Sequence, residues 1–302
     1  MSQHVVVTGS EGFLGRHVVR TLAAAGDRVT AIDHRPPSRD LPPGVHAVQG
    51  DCADPGHGRL LERADVVVHL AAETGVRGSW SSDFAAYARE NLAALHAVAL
   101  GVADGRGRLV LASSSTVYGN CDGPVTEDRA PAPRSPYAVT KLAGETLAHA
   151  HCEERGLRVT TLRLFTTYGP GQRADMLVSR LLAAAYAGRQ VDVAGDPDMA
   201  RDLTYVGDVV RAIHAACRID PGPEPVNIGT GRAVPLRDVV AAVQQAAGAE
   251  LTVRWIPRPP GDAVQTWADP SRARRVLGWR PSTSLEDGIR AQAAEQLQRS
   301  AA

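Results

Sequence analysis

Val5-Val6-Val7-Thr8-Gly9-Ser10-Glu11-Gly12-Phe13-Leu14-Gly15-Arg16-His17-Val18-Val19-Arg20 is the stretch that decides the fold of this 302-residue chain. A short apolar run bounded by glycine reads as a buried strand, and the segment from Arg16 to Leu22 has helical periodicity. Three glycines, three residues apart, join the two. Gly9 permits the tight turn, Gly12 lets a pyrophosphate approach the backbone, and Gly15 lets the helix pack closely on the strand. The helix N-terminus then offers free N–H groups and the positive end of its dipole to phosphates. Glycine turns of this kind also serve purely structural ends, so the next strand matters. Val29-Thr30-Ala31-Ile32 ends in Asp33, 18 residues after Gly15. A carboxylate there accepts both hydroxyls of an adenosine ribose, which selects NAD and repels the 2′-phosphate of NADP. His34 and Arg35 follow at once and leave room for some NADP.

Composition narrows the class. The 33 basic and 33 acidic residues cancel, so nothing suggests an electrostatic grip on nucleic acid or on an anionic membrane. No apolar run reaches transmembrane length, and the N-terminus enters a strand rather than a signal peptide, so the expected location is cytoplasmic. Cys52, Cys121, Cys152 and Cys217 lie far apart. They lack metal-ligand spacing and read as reduced thiols, and no metal is expected. Of the 33 cationic side chains one is lysine, Lys141.

Strand and helix patterns alternate to about residue 168, as in a doubly wound parallel sheet. Val45–Gln49 is a short strand followed by Gly50-Asp51-Cys52, where Asp51 either reaches the adenine amino group or caps a helix. Asp65–Leu70 is a buried strand whose end, Ala71-Ala72, is small enough for a cofactor to lie against. A loop from Glu73 to Trp80 carries Arg77. Residues 83–103 read as one long helix in which Asn91 either bonds a nearby backbone group or faces solvent. Beyond about residue 170 the alternation weakens. The expected division is a dinucleotide domain over 1–168, with 200–220 returning to it, and a smaller C-terminal α/β substrate domain over 169–302. The last dozen residues read as a fraying helix.

The chemistry-bearing residues gather at two places. Leu109–Ala112 runs into Ser113-Ser114-Ser115-Thr116, four hydroxyls at a strand end. Ser135-Pro136 then opens a helix on which Tyr137 and Lys141 share a face. A phenol ionises near pH 10, and a neighbouring ammonium together with a nicotinamide cation is expected to lower it by a few units. Such a phenolate is a general base for an alcohol hydroxyl that gives up hydride, with Ser114 bonded to the same hydroxyl. The choice of lysine in an arginine-preferring chain fits a transferable proton better than charge alone.

On these residues, and on Arg163–Pro170, Arg201–Asp208, Pro260-Gly261-Asp262 and Leu277-Gly278-Trp279, the chain resembles the extended short-chain dehydrogenase/reductase family, in particular its NAD-dependent nucleotide-sugar epimerases and dehydratases. The resemblance covers nearly the whole length. It implies a Rossmann domain, a nucleotide-sugar domain, tightly held NAD and a homodimer through a helix pair. Carried over residue by residue, NAD falls to Gly9, Gly12, Phe13, Leu14, Gly15, Asp33, His34, Asp51, Cys52, Leu70, Ala71, Ala72 and Asn91, with Tyr137 and Lys141 below the nicotinamide. The family's dehydratases carry an Asp-Glu pair after the catalytic hydroxyl, and its decarboxylases a Glu two residues after it. Ser115 and Thr116 stand there in this chain, which leaves 4-epimerisation. Thr166 replaces the Asn common in glucose and N-acetylglucosamine epimerases, and with Gly75-Val76-Arg77 and the segment from Phe165 to Met176 the chain looks most like the UDP-glucuronate 4-epimerases. Ser114, Ser115, Thr116 and Thr166 then supply neutral donors to a C6 carboxylate. Arg201 matches the diphosphate arginine and Arg173 is expected against the uridine ribose or phosphate. Arg258 is a second phosphate candidate, though Pro259 intervenes before the Pro-Gly-Asp. Arg77 contacts either the diphosphate or a neighbouring loop. The alternatives are a UDP-glucose or UDP-N-acetylglucosamine 4-epimerase and a nucleotide-4-ketosugar reductase; a non-catalytic NAD-binding regulator fits least, since Tyr137 and Lys141 are both kept.

Overall fold

The structure is a computed structural model that describes residues 2–80, 83–219, 222 and 224–301. Its first half builds β1 (His4–Thr8), α1 (Phe13–Ala24), β2 (Arg28–Asp33), β3 (His46–Gln49), α2 (Gly58–Glu62), β4 (Val66–His69), α3 (Phe84–Ala88), α4 (Ala94–Asp104), β5 (Arg108–Ser114), α5 (Pro136–Arg155) and β6 (Arg158–Leu164). The second half adds β7 (Thr166–Tyr168), α6 (Leu177–Tyr186), β8 (Val191–Ala194), β9 (Ala200–Arg201), β10 (Leu203–Tyr205), α7 (Val206–Ala216), β11 (Val226–Ile228), β12 (Val234–Pro235), α8 (Leu236–Ala247), β13 (Val253–Ile256), α9 (Ser271–Leu277) and α10 (Leu285–Ala301).

Seven parallel strands form the central sheet in the order β11-β6-β5-β4-β1-β2-β3. The order reverses direction between β1 and β4. In open α/β sheets a ligand lies in the crevice outside the carboxyl ends of the strands at that point. Val5, Val6 and Val7 are fully buried, as apolar residues on both faces of a sandwiched parallel strand must be. Each contributes roughly 1.5–3 kcal/mol relative to exposure.

Helices cover both faces of the sheet. Under α1 lies a core that draws on β1, β2, β4, α7, β11 and α9. The chain therefore returns to the first sheet over 206–217, 226–228 and 273–279. Trp279 anchors the last return, with Nε1–H donating to the Asp208 carbonyl at 2.8 Å. A second core collects Tyr168, α6, β8, α8 and Ile289 of α10. A buried cluster of Gln172, Ser179 and Gln292 ties α10 to the segment that follows β7.

The long helix expected over 83–103 is interrupted. A π turn at Arg89–Ala93 joins α3 to α4. It buries Asn91, whose Oδ1 accepts the Glu73 N–H at 2.8 Å and whose Nδ2 donates to the Glu73 carbonyl at 3.0 Å and to Thr140 Oγ1 at 2.9 Å. Of the two readings of Asn91, the backbone partner is the one realised. Every hydrogen of its amide is used in fastening the loop after β4 to α5.

Candidate active site

The glycine turn sits at the carboxyl end of β1, beside the switch point. Gly9 has φ +69°, and a Cβ there would stand 2.6 Å from Ala71 N and 2.8 Å from Leu70 C. A Cβ on Gly15 would stand 2.1 Å from the Gly9 carbonyl oxygen. These two glycines are required by close approach of backbone to backbone. Gly12 differs: a Cβ there meets the Gly9 oxygen at 3.0 Å and then only the Arg35 guanidinium at 3.9 Å. It is also the N-cap of α1 and supplies no capping side chain. The first N–H groups of α1 are thus left to an anion. The turn fits a dinucleotide pyrophosphate on its own geometry. Phe13 begins α1 and meets His17 edge-on, with ring centroids 6.0 Å apart. His17 in turn donates to the Pro170 carbonyl at 2.8 Å. The helix that follows the glycine turn and the segment that follows β7 are thus in direct contact.

At the adenosine side, Asp33 is buried and takes hydrogen bonds from Glu11 N–H and from Arg35. Burial works to raise its carboxyl, but the Arg35 guanidinium and the amides of Arg35 and Glu11 outweigh it and hold the group below the usual carboxylate range. His34 is exposed, 3.9 Å from Asp33. Asp51 Oδ1 accepts the Ala53 N–H at 2.9 Å; it is not the helix cap, since the short helical turn that follows is capped by Asp54, whose side chain accepts the Gly56 N–H at 2.8 Å. Cys52 belongs to the core, and burial pushes its thiol up to about 12.

The catalytic candidates converge on the ends of β5 and α5. Ser135 caps α5 by accepting the Ala138 N–H at 3.1 Å, and Pro136 takes the first helical position. Tyr137 and Lys141 follow on successive turns. Lys141 Nζ donates to the Ala112 carbonyl at 3.0 Å and lies 6.0 Å from the centroid of the Tyr137 ring. Ser114 Oγ accepts the Thr116 N–H at 3.2 Å and the Thr116 hydroxyl at 3.0 Å, and it also engages the Tyr137 phenol. Tyr87 packs edge-to-face on Tyr137 at 6.4 Å and donates to the Gly75 carbonyl at 3.1 Å. Tyr87 escaped the sequence reading, although it lies four residues before Asn91 on the same helical run.

Electrostatics here depart from expectation. Burial pushes the Tyr137 phenol up to about 12, with Ser114 and Arg173 opposing and Tyr87 adding to the rise. Burial also lowers Lys141 to about 8, and Glu145 works against that shift. Stripping water from a phenolate costs more than the protein's own cations return. The protein alone therefore holds a neutral phenol, whereas the lowering inferred from sequence concerns the state with a nicotinamide cation beside it. His69, at the end of β4, is fully enclosed and pushed down to about 3, first by burial and then by Lys141. It stays neutral, 2.8 Å from the Thr8 hydroxyl.

β5 and β6 pair in parallel with Ser113 opposite Arg163 and Ser114 opposite Leu164. Thr166 stands two residues beyond that last pair, at the same edge as Ser115 and Thr116. Among the described residues no cluster of His, Cys, Asp and Glu could hold a metal ion.

Three arginines meet on the far side of the cleft. Arg201 Nη1 donates to the Ala200 and Val264 carbonyls at 2.9 and 3.1 Å. Burial lowers its guanidinium, Asp262 opposes, and Arg258 and Arg77 add to the lowering. Arg77 lies 3.5 Å from the Asp262 carboxylate, and Arg258 donates to the Asp262 carbonyl. Three guanidiniums and one carboxylate, with Arg77 on the carboxylate itself and Arg258 on the carbonyl of the same residue, leave an excess of positive charge suited to an anion. Arg173 lies elsewhere. It pairs with Asp175 at 2.7 Å, donates to the Thr74 hydroxyl, and acts electrostatically on Tyr137. It lies over the loop after β4, where a Cβ on Gly75 would meet its Nη2 at 3.8 Å and the Tyr87 hydroxyl at 3.9 Å. Met176 caps α6 just beyond it, with its N–H donated to the Arg173 carbonyl at 3.1 Å.

Comparison with known proteins gives a consistent result. Residues 5–229 match the NAD dependent epimerase/dehydratase family. A probable UDP-glucuronate 4-epimerase of Rhizobium meliloti is 32% identical over 321 residues, covering 94% of each chain. The crystal structure of the UDP-glucuronic acid 4-epimerase of Bacillus cereus with UDP-glucuronic acid and NAD superimposes with a TM-score of 0.93 at 32% identity, covering 98% of this chain and 99% of that one. MoeE5, solved with UDP-glucuronic acid and NAD, has a TM-score of 0.91 at 40% identity and covers 98% of this chain and 99% of its own. The same protein has also been solved with UDP-glucose and NAD.

Proposed function

The chain belongs to the NAD dependent epimerase/dehydratase family, and from that premise we propose that it is a UDP-sugar 4-epimerase that interconverts UDP-glucuronate and UDP-galacturonate. One observation carries the choice of reaction. Ser114, Tyr137 and Lys141 are assembled as a proton-handling group, while the two positions after Ser114 hold Ser115 and Thr116, hydroxyls that cannot serve as the acid or base of a dehydration or decarboxylation.

NAD, which the Gly9–Gly15 turn and Asp33 would hold, would supply a reversible acceptor for the C4 hydride. Everything else is done by side chains. Tyr137 takes the proton of the C4 hydroxyl and gives it back at the end, so the enzyme needs no net exchange with solvent. Lys141, held on the Ala112 carbonyl, keeps a positive charge beneath the reacting centre. Ser114 orients the hydroxyl. Arg77, Arg201 and Arg258 grip the diphosphate while the hexose turns over. Ser115, Thr116 and Thr166 hold the C6 carboxylate with neutral donors, a safeguard because the 4-keto intermediate is a β-keto acid that can lose CO₂.

UDP-glucose is the second candidate substrate, favoured by its complex with MoeE5. The same machinery would act on it, since none of the catalytic groups addresses C6. A cytoplasmic homodimer completes the reading. It is supported by four free thiols, which suit a reducing compartment, and by Phe84 and Val139, exposed on α3 and α5.

Incubation with UDP-glucuronate and no added cofactor, followed by proton NMR of the anomeric region, tests the proposal. UDP-galacturonate should appear without pentose and without bulk NADH. A UDP-pentose would make the enzyme a decarboxylase. Conversion of UDP-glucose alone would move the assignment to the second substrate.

A further inference from the structure

The end of β5 is tied to α5 at two successive residues. Lys141 Nζ donates to the Ala112 carbonyl at 3.0 Å, and the Ser113 hydroxyl donates to Glu145 Oε1. Ser114 comes next in the strand. Glu145 lies four residues after Lys141, one helical turn further along the same face.

Glu145 is itself fastened from the sheet. Arg163, opposite Ser113 in the β5–β6 register, donates from Nε to Oε1 at 3.0 Å and from Nη2 to Oε2 at 2.7 Å. This is the two-pronged grip of a guanidinium on a carboxylate. The Arg163 and Glu145 side chains are only 5% and 11% exposed. Arg163 is held in turn by Tyr118: its Nη1 donates to the phenol oxygen at 2.7 Å, and its guanidinium lies 4.8 Å from the ring centroid. The Tyr118 hydroxyl donates onward to Asn227 Oδ1 at 2.7 Å.

Apolar side chains would join β5, β6 and α5 without the cost of desolvating charges. The ionic link adds what packing cannot, a negative charge one turn from Lys141. Few other charged or titratable groups face that ammonium. Tyr137 shares its helix, the neutral His69 faces it from β4, and Arg163 of β6 is a second cation whose fork rests on Glu145. Glu145 opposes the effect of burial on Lys141. Without it two cations would stand here with no carboxylate between them, and of the two only the lysine gives up a proton readily.

We propose that Glu145 is a positioning residue of the active site that acts through Lys141: clamped by Arg163 and Ser113, it supplies the negative charge that keeps the ammonium protonated on the Ala112 carbonyl. This deepens the epimerase reading and rests on it for the role of Lys141.

The test uses the fact that Lys141 is the one lysine of the chain. Protein carrying lysine isotopically labelled at Nζ gives a single side-chain NMR signal, whose titration reads this ammonium directly. Glu145→Gln should lower the midpoint by about one pH unit or more, since an opposite charge nearby shifts a group by about that much. The alkaline decline of kcat should move down with it, while KM for the UDP-sugar stays unchanged. Glu145→Asp keeps the charge and its Arg163 partner but withdraws the carboxylate by one methylene. Its midpoint should fall between the other two, and it carries the test if the Gln variant does not fold. A wild-type midpoint in either folded variant, or a fall in kcat at every pH with no shift of the alkaline limb, overturns the proposal and leaves the Glu145–Arg163 pair a structural link. The lysine signal is read without turnover, so failure of the epimerase reading would show separately, as absent product with the titration still measurable.

Discussion

The two ends of the cleft are built by opposite means. The proton-handling end is local. Ser114 closes one strand, Tyr137 and Lys141 share the first turns of one helix, and the hydrogen bond from Lys141 to the Ala112 carbonyl binds the two elements together. The diphosphate end is assembled from afar. Arg77, Arg201, Arg258 and Asp262 come from two separate loops and a two-residue strand, and the Arg77–Asp262 pair spans 185 residues of sequence. The first end should fail abruptly when one atom is removed, because its groups act as a unit. The second should weaken in steps, because several cations share one ligand.

Tyr137→Phe should have the largest effect. Removing the proton acceptor is expected to lower kcat by about two to four orders of magnitude, while titration calorimetry still detects UDP-sugar binding. Near wild-type turnover would remove Tyr137 from the chemistry. The pH profile probes the same end. Burial sets Lys141 near about 8 despite Glu145. Its charged form prevails below that pH and is lost as pH rises through it, so kcat should decline on the alkaline side. A profile flat through pH 9 would separate the ammonium from catalysis.

The diphosphate end should respond more mildly. Arg201→Ala is expected to raise KM by about ten- to a hundredfold, since a hydrogen bond to a charged group is worth about 1.5–3 kcal/mol, with kcat little changed. Arg77→Ala, at an exposed pair, should cost about two- to fivefold in KM. Equal effects at both positions, or a collapse of kcat, would erase the contrast between the ends. The smallest expected change is in selectivity. Thr166→Asn should lower the ratio of glucuronate to glucose activity and leave UDP binding intact; an unchanged ratio would take Thr166 out of the carboxylate site.

Legibility in the sequence follows the same division. The strand–glycine–helix unit, the parallel alternation and the Tyr137/Lys141 face could be read because each depends on spacing within one or two elements. The arginine trio was visible only residue by residue. Nothing in the spacing says that Arg77 meets the Asp262 carboxylate and Arg258 its carbonyl, or that Arg173 pairs with Asp175 and reaches the Thr74 hydroxyl. The π turn at 89–93 was hidden, because a period of 3.6 runs through it unbroken in the sequence and only the burial of Asn91 reveals it. The burial of the Tyr137 phenol was hidden for a related reason: desolvation depends on what packs around a phenol, and Tyr87 and the loop after β4 come from elsewhere in the chain.

The most direct measurement uses UDP-glucuronate carrying deuterium at C4, in ordinary water without added cofactor. Transient oxidation with return of the same hydride predicts UDP-galacturonate that keeps the deuterium at C4. Loss of the label to solvent, or its absence from an epimerised product, would contradict the oxidation and return of hydride within one closed site.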